Sequence, residues 1–133
     1  MLSVLIKVES RYPVNRKAIR QAVADVFQKE KIGNLSAEVS VIVCGARKMK
    51  ELSTKYLGDD IDHEVLSFPL EDVTSNKGAF MGAPDDILRL GDVVVAWPEV
   101  VRLAGEKNVM IDEEMGFLVA HGVEHLLGKH HEE

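Results

Sequence analysis

The apolar runs VLSF at residues 65–68, closed by Pro69, and GDVVVAW at residues 91–97 decide the architecture. Each is short, rich in β-branched or aromatic residues and bounded by a turn former, so both read as strands. Between them, residues 71–89 are polar and carry Gly78, Gly82 and Pro84, which predicts one long loop rather than a helix. Two strands therefore follow one another without a crossover helix. Upstream the pattern does alternate. Leu2–Glu9 and the run LSAEVSVIVC at residues 35–44 read as strands. Residues 15–31 form an amphipathic helix with Ile19, Ala22, Val23, Val26 and Phe27 on one stripe, and Gly33 and Asn34 end it. Gly45 opens a second helix over residues 46–57, with Met49, Leu52 and Tyr56 on its inner side. Downstream, Pro98 suits the first turn of a helix reaching about residue 107. Asp112 is the expected N-cap of a last helix over residues 113–127, whose first turn carries Glu113 and Glu114. The order β-α-β-α-β-β-α-α predicts an α+β fold: one domain over residues 1–133, a mixed sheet of about four strands, and helices packed on it.

Bulk properties narrow the function classes. A chain of 133 residues with 46% hydrophobic and 29% charged residues is an ordinary globular protein with a sizeable core. No apolar run approaches the roughly 18 residues that span a bilayer, so no membrane partner is expected. The N-terminal MLSVLIKVES lacks a basic n-region and a small-residue cleavage site, so no signal peptide is expected. Cys44 is the single cysteine, which fits a reducing cytoplasm, and its place at the end of an apolar strand reads as core. The net charge of −6 argues against broad charge-driven nucleic-acid binding. It leaves room for a local basic surface at Arg16, Lys17 and Arg20, or at Arg47, Lys48, Lys50 and Lys55.

The chemistry concentrates in HGVEHLLGKHH, residues 121–131, an H-x-x-x-H-x-x-G-x-x-H pattern. On a helix, positions i and i+4 share a face one turn apart, so His121 and His125 can aim two imidazoles at one ion. Gly128 tolerates the left-handed backbone that ends a helix and turns the chain back, bringing His131 in from another side. Three neutral imidazoles with one open position is a common catalytic zinc arrangement. The metal site is thus expected on the C-terminal helix and the turn after it, with one Zn²⁺ per chain. Nickel, cobalt or copper would also accept three histidines. His130 competes with His131 as third ligand, and a His-rich tail also binds metal loosely.

Zinc lowers the pKa of coordinated water from about 15.7 to about 7, which suits hydrolysis. The glutamate that follows the first histidine in H-E-x-x-H peptidases is Gly122 here, so the protease base is missing. Glu124 lies about 60° from His121 on the helical wheel, on the side away from His125. It is a candidate for orienting water or holding a histidine N–H, beside the plainer reading of an exposed helix glutamate. His63, just before the third strand, reads as a polar turn residue rather than a ligand, and Trp97 as core packing.

The segment HGVEHLLGKHH resembles the signature H-G-x-x-H-L-x-G-Y-D-H of the YbeY family, the bacterial rRNA maturation factors. TKYLGDDIDHEVLSFP at residues 54–69 resembles that family's tyrosine-arginine-glycine segment leading into V-L-S-F-P. LGDVVVAWPEV at residues 90–100 resembles its L-G-D-I-x-I-x-P-E-x. The resemblance implies a zinc-dependent, single-strand-specific endoribonuclease of 16S rRNA maturation and ribosome quality control, with RNA and the small ribosomal subunit or its assembly factors as partners. It implies His121, His125 and His131 as metal ligands, and Ser67 and Phe68 on the strand bordering the cleft, structural or substrate-facing. The arginine usual after the tyrosine is Leu57 here, and Lys55 or Arg89 is a candidate substitute for its phosphate contact. Lys129 and His130 replace the usual tyrosine and aspartate. Two alternatives stay open: a zinc-binding ribosome-assembly factor without cleavage activity, and a different metal-dependent hydrolase.

Overall fold

Strands β1 (Leu2–Val8), β2 (Ala37–Cys44), β3 (Val65–Pro69) and β4 (Leu88–Ala96) hydrogen-bond into one sheet in the order β1-β2-β4-β3. The computed structural model describes residues 1–70 and 87–128. β1 runs parallel to β2 and β2 parallel to β4, whereas β3 is antiparallel to β4. The two strands met in succession in the sequence are thus the antiparallel pair of a mixed sheet, as expected for an α+β domain. Four helices pack on it among the described residues: α1 (Arg16–Lys29), α2 (Ala46–Leu57), α3 (Trp97–Lys107) and α4 (Ile111–Leu126).

Alternation within the strands sorts the core into two layers. Val39, Val41 and Val43 of β2, with Val93 and Val95 of β4, meet Ile19, Val23 and Phe27 of α1 and Leu118, Val119 and Val123 of α4. On the other face Cys44, Val94 and Ala96 meet Met49 of α2. Each fully buried Val, Leu, Ile, Phe or Met contributes about 1.5–3 kcal/mol relative to exposure. The larger layer therefore fixes α4, and with it the histidine helix, against the sheet.

Local chemistry differs from the sequence expectation at four places. The last helix starts at Ile111 with Met110 as N-cap and no side-chain cap. Asp112 lies in the first turn, where its Oδ2 accepts from Asn15 Nδ2 at 2.8 Å. Asn15 itself caps α1, its Oδ1 accepting from the Ala18 N–H at 3.1 Å. A tertiary bond between two helix starts thus replaces the local cap that Asp112 suggested. Trp97 is the first residue of α3 rather than a strand end, and its ring stacks on Tyr12 at 5.5 Å. Tyr56 is more than half exposed, not inward, although its ring leans on Phe68 at 5.1 Å. Finally, β4 begins at Leu88, so Gly91 lies inside it. The register passes from Glu38↔Arg89 to Val39↔Gly91, leaving Leu90 as the extra residue of a bulge. Gly91 has φ +135°, and a Cβ there would stand 2.2 Å from the Phe68 carbonyl oxygen. Of the loop expected over residues 71–89, residues 71–86 lie outside the described residues.

Candidate functional site

Two faces of α4 do different work. Met115, Leu118, Val119, Val123 and Leu126 are buried against the sheet. Phe117, His121 and His125 follow one another at four-residue intervals and face an open groove of about 660 Å³. Leu66 and Ser67 of β3 line its other wall, and Leu57 and His63 from the α2–β3 connection border it. The His121 and His125 ring centroids lie 4.6 Å apart at 54°. The Phe117 ring lies 6.5 Å from that of His121 and nearly parallel to it, at 22°.

The wall is held by Gly122, which the sequence reading noted only as the absence of a base. A Cβ at Gly122 would meet Val93 Cγ1 at 2.5 Å and Ser67 Oγ at 3.2 Å. A side chain here would drive into the sheet, not into the groove. The close approach lets Ser67 Oγ donate to the Gly122 carbonyl oxygen at 2.9 Å, tying β3 to the histidine helix. Ser67, expected to be structural or substrate-facing, thus makes a structural bond and also lines the groove.

The remaining candidates distribute around this centre. Glu124 accepts from Lys29 Nζ at 2.7 Å and lines a separate groove between α1 and α4. The structure therefore does not bring it into the cleft with His121 and His125. Lys55 lies on the outer face of α2, its ammonium 5.1 Å from the Tyr56 ring centroid, while its neighbour Leu57 is the one that borders the cleft. Arg89 is exposed on β4 at the far side of the Gly91 bulge. Lys107 is a feature the sequence did not single out. Its ammonium lies 4.1 Å from the Phe117 ring centroid and 2.9 Å from Oε1 of the buried Glu114. Cys44 is buried, and that burial, reinforced by Glu9, pushes its thiol up to about 11, as befits core rather than a nucleophile.

Two imidazoles one turn apart on a rigid, buried-backed helix are a donor set that suits zinc. Leu127 closes α4, and Gly128 takes φ +86°, the left-handed turn expected of it. His130 and His131 lie outside the described residues. Among the described residues, no group of three His, Cys, Asp or Glu side chains gathers to hold a metal ion.

A mixed sheet with an antiparallel edge strand, crossed closely by an H-G-x-x-H helix that opens two imidazoles to a groove, defines a compact α+β class of candidate hydrolases. The family model described as Endoribonuclease YbeY matches residues 6–133, and the chain belongs to that family. It is 31% identical over 136 residues to the Endoribonuclease YbeY of Dehalococcoides mccartyi strain BAV1, covering 99% of this chain and 84% of the relative. It is 36% identical over 119 residues to the Endoribonuclease YbeY of Roseiflexus sp. strain RS-1, covering 90% and 72%. The solution structure of TM1509 from Thermotoga maritima superposes with a TM-score of 0.60 at 26% identity, covering 99% of this chain and 75% of that one.

Proposed function

We propose that this chain is a zinc-dependent endoribonuclease that cuts single-stranded RNA, acting in 16S rRNA maturation and ribosome quality control in the cytoplasm, with the small ribosomal subunit as its setting. The observation that carries the reading is the His121–His125 pair, 4.6 Å apart and facing the groove beside β3, in a chain of the Endoribonuclease YbeY family. His121, His125 and His131 would hold the ion, which when bound supplies Lewis acidity to a phosphodiester and to water. The chain's own part is positioning. Ser67 and Gly122 fix the distance between β3 and α4, and so the width of the groove. Phe117, 57% exposed beside His121, offers a face for an unpaired base, and bases held in a duplex cannot reach such a face. No helix among the described residues is long and apolar enough to cross a membrane.

The test pairs zinc content with RNA cleavage in the native chain and in His121→Ala and His125→Ala. Both variants should lose zinc and cleavage together, and duplex RNA should resist the native chain. Cleavage that survives His121→Ala would refute the assignment.

Leu57 favours a second reading, an assembly factor that holds zinc without cutting. This aliphatic side chain borders the groove at the position where the resemblance places an arginine. That reading expects co-sedimentation with small ribosomal subunits and no turnover with zinc or manganese. A different hydrolase of the H-E-x-x-H kind is disfavoured by Gly122, whose place against Val93 has no room for a glutamate.

A further inference from the structure

We infer that His63 is a further catalytic residue of this groove, giving a proton to the leaving oxygen of the phosphodiester; the inference rests on the nuclease reading above. His63 borders the same groove as His121 and His125 but comes from the opposite wall, at the end of the α2–β3 connection. Its Nε2 lies 3.1 Å from Asp59 Oδ1 and 3.4 Å from Oδ2.

Asp59 is itself built into place. Gly58 ends α2 in the left-handed conformation, and the Ser53 and Thr54 hydroxyls each donate to the Asp59 carbonyl oxygen at 3.0 Å. The buried Ser53 also donates to Oδ1 at 2.9 Å, and the Ile61 N–H donates to the same oxygen at 3.1 Å. These donors, with Ile61 foremost, hold the carboxyl below its ordinary range and keep it an anion. An anion fixed on Nε2 keeps a hydrogen on that nitrogen and leaves Nδ1 as the nitrogen for a ligand. The charged and titratable groups around His63 are His121 and His125 across the groove, Glu64 beside it, Asp59 beneath it, and Asp62, which pairs with Lys50 at 3.4 Å. Leu57 on the same wall has no proton to give, whereas the ring nitrogens of His63 can carry one.

An RNA alkoxide leaves poorly without a proton. In the step assigned here, the oxygen of water bonds to phosphorus and its proton passes to solvent. The bond from phosphorus to the leaving ribose oxygen breaks, and that oxygen takes the Nδ1 proton. Solvent then reprotonates His63.

The experiment uses the full zinc-loaded chain on single-stranded RNA and on bis(p-nitrophenyl) phosphate, whose nitrophenolate departs without a proton. His63→Gln and His63→Asn are both measured, so that loss of folding in one leaves the other. Expected is a fall in kcat on RNA of about 10²-fold or more, the ordinary range for general acid catalysis. KM and zinc content should hold, and hydrolysis of the nitrophenyl diester should be unchanged. Equal losses on both substrates, or none on RNA, overturn the role of His63 while the nuclease reading stands. A native chain that cuts no RNA with zinc or manganese overturns both. A second readout needs no activity: ¹⁵N NMR of the metal-free chain should find the neutral His63 ring protonated on Nε2, with the preference lost in Asp59→Asn. The Nδ1–H tautomer in the native chain overturns the assignment.

Discussion

Replacing Gly122 by alanine isolates the contact that sets the groove. In an unconstrained helix interior the change would stabilise by about 1 kcal/mol, because glycine carries the larger backbone entropy. Here the added Cβ stands 2.5 Å from Val93 Cγ1 and 3.2 Å from both Val93 Cγ2 and Ser67 Oγ. Carbon atoms pack best at about 3.5–4.0 Å, so α4 and β4 must part by about 1 Å. Val93 is fully buried on the central pair of strands and β-branched, so it has no alternative rotamer to retreat into. Overpacking of this kind costs about 1–3 kcal/mol, and the fixed neighbour puts it near the top. Setting the propensity gain against it leaves a net loss of about 2 kcal/mol, a factor of about 30 in the folding equilibrium. Urea denaturation should read this as a lower midpoint with unchanged slope. Gly105→Ala in α3 is the control, since a Cβ there meets nothing within 4 Å and should stabilise. The double variant Val93→Ala/Gly122→Ala should be more stable than the two single losses add up to, because the removed methyls make room. A Gly122→Ala chain that gains stability as Gly105→Ala does would refute the close-packing argument, and with it the account of groove width.

Gly91→Ala should destabilise by about 2–3 kcal/mol, the combined scale of backbone strain and a steric clash, since its φ is +135° and the new Cβ would strike the Phe68 carbonyl; a denaturation midpoint equal to native would contradict this. Cys44 should resist a thiol reagent at pH 8 in the native chain and react once the chain is unfolded, with burial as the first cause. Its folded pKa of about 11 stands above its ordinary 9.0, so the unfolded chain loses its proton first. Stability should therefore fall as pH rises from 9 towards 11, and Cys44→Ala should flatten that slope. Asp59 has the opposite sign. Its carboxyl is depressed below the ordinary 3.8, so the stability it contributes is present above that pH and fades as pH falls through the lower folded value. Asp59→Asn should remove this part of the acid limb of a stability–pH curve, and an unchanged limb would count against the Ser53 and Ile61 bonds.

The α+β class was legible because two strands follow one another without a helical period between them, while helices and strands alternate upstream. The His121–His125 pairing was equally legible, since helix geometry alone places i and i+4 on one face. Caps and bulges were less so. Asp112 has the chemistry of an N-cap, but a partner 97 positions away in the chain, Asn15, takes its carboxylate instead. Gly91 reads locally as a strand start and turns out to lie inside the strand beside a bulge at Leu90, because only the neighbouring strand shows which residue is unpaired. Gly122 reads as a missing base until Val93 appears against it. Glu124 reads as a neighbour of the histidines on the wheel, yet α1 lies on that side and supplies Lys29.

Sequence by itself determined what is periodic or adjacent along the chain: the elements, the sheet class, and the pair of imidazoles on one helix. Only the tertiary structure decided which residues share a wall: that Leu57 and His63 border the histidine groove, that Lys55 and Glu124 turn elsewhere, and that Gly122 carries no side chain because a strand lies in its way. Periodicity is a property of one helix or strand and needs no partner. A groove is made by two elements far apart in the chain, and its lining follows from how closely their backbones can approach.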